Sequence, residues 1–419
     1  MVEALWPELP TDPGWVADLS REVKRHKVAD LVFHNLVACP RKSPAARMLA
    51  DDLQGHLDAR RERRRGALEA ARSAIEMGAA SGAHLIKGLA MRRLYPDPSL
   101  RHPGDVDLHF SSIEGALILI RQLLAHSWTW DANEPPWLKW DDHGVPYGQW
   151  ALSRTGQADR VDIHIGPYSV GYLGLLRLPE FEAGSFDGVA IPCASRETSI
   201  AILAAHAAGD SLLSMKDIND LAVIAQDGRV DWTLVLDVCR PAGLVSTLGQ
   251  IMWWARSTYG LDSIPNIGSP DKPLPMTTPH RWGRALRIAH ATYRQCRLRT
   301  SPIHAGLRAW EALRYYTVDL TPRVGHPRPV APDRQFRTQS LCWRMIPMSM
   351  WHSMEAGALT SRSSWSFEPL VDGVELIRAV DSCVVRWGEE IFVPTVWGTV
   401  TRSSLALAKA LAHESSTTH

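Results

Sequence analysis

The stretch "HLIKGLAMRRLYPDPSLRHPGDVDLHF", residues 84–110, sets two aspartates two positions apart at the entrance to an apolar run. Short apolar runs bounded by glycine and proline read as strands, here HLIK at 84–87 and DVDLHF at 105–110, with helix-forming residues after the first. Alternate residues of a strand face one way, so Asp105 and Asp107 crowd one surface, where like charges repel and burial favours neither. A positive charge is expected beside them. Lys87 and Gly88 fall where the first strand meets a helix. Glycine there permits close backbone approach, and the free N–H groups of a helix start suit phosphate oxygens.

Working outward, GQWALS at 148–153 and RVDIHI at 160–165 are further strands, and SIEGALILIRQLLAHSW is a helix capped by Ser111 or Ser112. The core is therefore α/β or α+β, centred on residues 82–192. Asp162, in RVDIHI, can rise beside the first aspartate pair on the same face. Three carboxylates converging from neighbouring strands make an oxygen-ligand site for a divalent cation of the kind Mg²⁺ occupies with substrate phosphates. His109 and His164 share these faces and read as neighbours of the ligands rather than ligands.

With these residues in view, residues 84–110 resemble the signature of the bacterial uncharacterised nucleotidyltransferase family, in the polymerase-β-type superfamily. The resemblance continues through RVDIHIG, AILAAHAAG and MKDINDLAVI, covering roughly residues 15–240. It implies an α+β fold: a polymerase-β-like core of small mixed sheet and helices, flanked by N-terminal and C-terminal helical lobes. It further implies catalytic and metal-holding roles for Asp105, Asp107 and Asp162, with Mg²⁺ or Mn²⁺ as the metal. Lys87, Gly88, Arg101, Gly104 and Lys216 would bind the nucleotide. Two metals about 3.5–4 Å apart would serve in-line attack of an acceptor hydroxyl on the α-phosphorus of a nucleoside triphosphate such as ATP, with pyrophosphate leaving. Asp162 would accept the hydroxyl proton. One departure stands out: Leu89 and Ala90 follow Gly88 where the superfamily often carries a hydroxyl, so Lys87 or Arg101 would compensate. Lys216 has a second reading as an ordinary i,i+4 helix pair with Asp220.

The rest of the chain bounds these expectations. Of 419 residues, 46 are Lys or Arg and 45 Asp or Glu, so there is no global basic field for long nucleic acids. The six cysteines are scattered, which reads as reduced thiols in a cytoplasmic protein, and no run of apolar residues is long enough to span a membrane. The expected division is an N-terminal helical lobe at 1–81, the core at 82–192, a helical lobe at 193–318 with a Pro-rich loop at 262–280, and an accessory region at 336–419 mixing strands with a final helix. The tryptophans, among them WTW at 128–130 and WLKW at 137–140, read as packing groups, and the loop 131–147 as facing the acceptor. The arginine-rich region 281–314 suits either an anionic partner or an acidic face of the same protein.

The leading reading is a metal-dependent transfer of a nucleoside monophosphate to a hydroxyl of a small molecule, peptide or protein. A toxin-like enzyme acting on transfer RNA ends, docked through residues 281–314, is one alternative. A catalytically inactive nucleotide-binding partner in a biosynthetic cluster is another.

Overall fold

The computed structural model describes residues 12–38, 43–101, 105–131, 137–140, 146–154, 160–166, 168–169, 176–178, 181–210, 214–242, 244–266, 306, 323–325, 343–347, 366–371, 374–379, 383–387, 390–396 and 399–417. It divides into two compact units. The first holds Met1–Leu108, Arg154–Val161 and Leu178–Thr278, and the second His109–Ser153, Asp162–Arg177 and Pro279–His419.

The first unit opens with helices α1 (Pro13–Arg25), α2 (Ala29–Ala38) and α3 (Pro44–Ala80). Two of these starts are written locally. Asp12 accepts from the Gly14 and Trp15 amides and Ser43 from the Ala46 amide, each followed by proline, which has no N–H to leave unpaired. Val16, Val23, Leu36, Leu49 and Leu53 share one apolar cluster across the three helices. Each such buried side chain contributes about 1.5–3 kcal/mol relative to exposure. After α3 the chain turns through Gly82, at φ 83°, into β1 (His84–Leu85) and at once into α4 (Lys87–Arg92).

Next come β2 (Val106–Phe110), α5 (Ile113–Ala125), β3 (Trp128–Trp130), β4 (Trp137–Trp140), β5 (Pro146–Arg154), β6 (Arg160–Ile165), β7 (Phe181–Glu182) and β8 (Cys193–Ala194). The cap of α5 is Ser112, whose hydroxyl accepts from the Gly115 amide. Among the described residues β1, β8 and β7 lie side by side in the first unit, and β4 pairs with β5 in the second. Leu85 of β1 lies opposite Cys193 of β8 in parallel pairing, and β8 runs antiparallel to β7. The core is thus α+β, as expected. Residues 128–130 and 137–140 are strands, not only packing tryptophans, and Trp137 pairs with Gln149 across the β4–β5 ladder.

Among the described residues the first unit continues with α6 (Arg196–Asp210), α7 (Met215–Ala225), α8 (Trp232–Cys239) and α9 (Val245–Tyr259). The second unit carries another sheet, β9 (Arg323–Gly325), β10 (Trp343–Pro347), β11 (Ser366–Val371), β12 (Val374–Arg378), β13 (Cys383–Trp387), β14 (Glu390–Val396) and β15 (Thr399–Thr401), followed by α10 (Arg402–Thr417). Its order is β9-β15-β14-β13-β12-β11, with β10 on β14. Ile377, Val384, Ile391 and Val393 bury their side chains with Leu405 and Leu411 of α10. Within this unit Trp150 of β5 stacks on Phe392 of β14, ring centroids 5.9 Å apart. Among the described residues no helix is long and apolar enough to cross a membrane.

Candidate active site

Every residue of β2 is buried, and so is β6 apart from its half-buried first residue. Along each, apolar residues alternate with Asp107 and His109 or with Asp162 and His164, so one side of each strand carries buried polar groups. Asp107 is 2% exposed and Asp162 4%. Buried carboxylates persist only where cations or hydrogen bonds compensate them.

Lys87 is one compensation for Asp107, its Nζ 2.6 Å from Asp107 Oδ1. The strand–helix junction is pinned there, because the Ile86 amide donates to the Asp107 carbonyl at 3.1 Å. Lys87 itself has φ 52°, a left-handed conformation rarely adopted by a residue with a side chain. Gly88 follows it, buried in α4. Asp105 sits at the mouth of β2, half-buried. The charge of Asp107 and then burial push its carboxyl above the usual range, against the pull of Lys87, Arg160 and Lys27. The crowding expected from D-x-D is present.

Gln149 Nε2 donates to Asp162 Oδ2 at 3.3 Å. His164, read from sequence as a neighbour only, shares the buried face of β6 with Asp162. The alternation D-x-H in RVDIHI carried the signal, since it puts His164 on the face of Asp162. A buried carboxylate and a buried imidazole on one strand face are donors that suit a divalent cation. His109 is otherwise engaged, its Nε2 donating to the Gly166 carbonyl at 2.6 Å.

The remaining candidates gather elsewhere in the first unit. Arg101 is buried and forks onto Asp220, Nε to Oδ1 at 2.8 Å and Nη2 to Oδ2 at 3.1 Å. Tyr95 donates its hydroxyl to Asp220 Oδ1 at 2.6 Å, and accepts from Asn219 Nδ2 at 2.7 Å. Burial and then the charge of Asp220 raise the Tyr95 pKa, so it stays a donor. Lys216 lies 2.8 Å from Asp217 and 3.6 Å from Asp220. The i,i+4 pair weighed from sequence is therefore present, and Arg101, expected to face an anion, meets the carboxylate of Asp220. Gly104 and, apart from Gly306, the basic region 281–314 lie outside the described residues.

Asp217 closes a capping box with Ser214: its amide donates to Ser214 Oγ, and its carboxylate accepts from the Ser214 amide at 3.2 Å. Burial would raise its pKa, but the Lys216 charge and hydrogen bonds from Lys216 and Ser214 outweigh that and hold it below 3.8. A depressed folded pKa gives stability above the unfolded value that disappears as pH falls through the folded one. Asp217→Asn is thus expected to cost about 1–2 kcal/mol at neutral pH, the gap from wild type closing below about pH 4. Urea titrations of both proteins across pH would check this, and a gap independent of pH would contradict it.

A family model described as an uncharacterised nucleotidyltransferase matches residues 14–260. The chain belongs to that family. The match takes in Lys87, Asp105, Asp107, Asp162 and His164, together with Arg101 and Lys216. No curated protein and no solved structure matches the chain.

Proposed function

We propose that this family member transfers a nucleoside monophosphate from a nucleoside triphosphate to a hydroxyl of a small molecule, peptide or protein, releasing pyrophosphate. The observation that carries the reading is a buried Asp107 facing Lys87 at a strand–helix junction, in a chain whose family is one of nucleotidyltransferases. Residues 82–192 would form the catalytic core. Asp105, Asp107 and Asp162 would hold Mg²⁺ or Mn²⁺, with His164 beside them. Such an ion supplies charge neutralisation for the triphosphate and makes the acceptor hydroxyl more acidic.

The chain's own groups would do the rest. Lys87 and Gly88 bind the triphosphate, Gly104 lets it approach closely, and Lys216 adds a contact from α7, while Arg101 is held by Asp220. Asp162 accepts the proton of the attacking hydroxyl, its carboxylate oriented by Gln149. The bond from acceptor oxygen to the α-phosphorus forms as that to the bridging oxygen breaks, and pyrophosphate carries away the electron pair. Burial of the centre excludes water, which would otherwise compete as acceptor.

The test is incubation of the full chain with each of four α-labelled nucleoside triphosphates, Mg²⁺ or Mn²⁺ and a cell extract. Label transferred to an extract component with matching pyrophosphate is the expected result. No transfer from any nucleotide with either metal would refute the reading.

A further inference from the structure

Asp107 has a cationic partner of its own within the chain. Lys87 Nζ stands 2.6 Å from the carboxylate, with Asp107 3% exposed at its side chain and Lys87 18%. The ammonium therefore lies on the more open side of a buried acid. Its position is enforced by the backbone, since the neighbouring Ile86 amide is tied to the Asp107 carbonyl at 3.1 Å. Lys87 is also held at φ 52°, a conformation that side chains disfavour and that persists only where the surrounding structure imposes it.

Resting on the nucleotidyltransferase reading, we propose that Lys87 holds the cation position on Asp107 in the nucleotide-free protein and leaves it for the triphosphate, so that divalent ion and nucleotide load together. An ammonium brings one positive charge to Asp105 and Asp107, where a divalent ion brings two. A bare ion arriving alone must compete with Lys87 for Asp107 and strands the ammonium beside a dication. When the ion arrives with a triphosphate, the phosphate oxygens accept Lys87 as the carboxylate is given up, and no cation is left unpaired. Four side-chain carbons let the ammonium make that exchange while the junction itself stays fixed. Metal without nucleotide then binds weakly, which keeps the centre idle until substrate is present.

The experiment is calorimetric titration of the full chain with MnCl₂ alone, and with Mn²⁺ complexes of the four α,β-methylene nucleoside triphosphates. Lys87→Met is expected to tighten Mn²⁺ alone by about tenfold while weakening the Mn²⁺–nucleotide complex. Lys87→Arg, which keeps the charge, should bind Mn²⁺ alone as weakly as wild type. The opposite signs matter, because simple damage to the site would weaken both ligands. Should Lys87→Met lose its cooperative melt, Lys87→Gln takes its place. Unchanged or weaker Mn²⁺ binding in the neutral variant, with nucleotide-dependent Mn²⁺ binding intact in wild type, overturns the exchange alone. Wild type that binds no Mn²⁺–nucleotide complex overturns the nucleotidyltransferase reading and the exchange with it.

Discussion

Asp107→Ala is expected to lower nucleotide transfer by at least about a thousandfold while leaving the chain folded. The loss in rate follows from removing the buried carboxylate that Lys87 faces at the strand–helix junction. Positioning and charge neutralisation supply most of phosphoryl-transfer catalysis, so the remaining groups cannot make good the deficit. The small effect on stability follows from two opposed terms. Lys87 loses its partner at 2.6 Å, but at 18% exposure its ammonium can turn to water, which limits the cost. Asp105 loses the like charge that is the largest cause of its raised pKa. The net change is expected within about 1 kcal/mol in either direction. Asp107→Asn, which keeps the shape, should behave alike. Initial rates of pyrophosphate release measure the first effect and urea unfolding the second. A rate within about tenfold of wild type would remove Asp107 from the reacting centre.

What the chain reveals before it folds depends on how local each signal is. The limits of β6 coincide with RVDIHI because its alternation is strict over six residues, and the same alternation places His164 with Asp162. Position alone narrowed the cap of α5 to Ser111 or Ser112, and the structure selects Ser112. The junction at Lys87 was legible from the change of period, but its left-handed backbone was not, since nothing in I-K-G marks the lysine rather than the glycine for φ above zero. Arg101 illustrates the wider difficulty. Its partner Asp220 lies 119 positions away, a pairing that no window of sequence contains, so the arginine looked available to an anion. Lys216 and Asp220 were legible as a pair because helical spacing brings them together. The aromatic strands β3 and β4 escaped because two segments of three and four residues, rich in tryptophan, lack enough alternation to tell strand from packing cluster.

Asp220→Ala is expected to be the most destabilising single change in the helical part of the first unit, at about 3–5 kcal/mol. Asp220 is fully buried, and its carboxylate takes two hydrogen bonds from Arg101 and one from the Tyr95 hydroxyl. Truncation leaves Arg101, 8% exposed, and Tyr95, 6% exposed, without this shared acceptor. A buried charge that loses its partner costs far more than the pair contributes, because desolvation has already been incurred. The exposed pair Arg240–Asp237, 67% and 60% exposed, gives the scale for comparison, as breaking it should cost less than about 1 kcal/mol. If uncompensated charge is the cause, removing both charges should be milder than removing one. The double variant Arg101→Met with Asp220→Ala is therefore expected to recover at least about 1 kcal/mol over Asp220→Ala alone. Urea unfolding followed by circular dichroism on the four proteins of the cycle measures this coupling. Additive losses would show that Arg101 and Asp220 act separately. The pair ties Arg101, four positions before Asp105 in the chain, to α7. Its loss should therefore also weaken binding of the Mn²⁺–nucleotide complex in protein that remains folded.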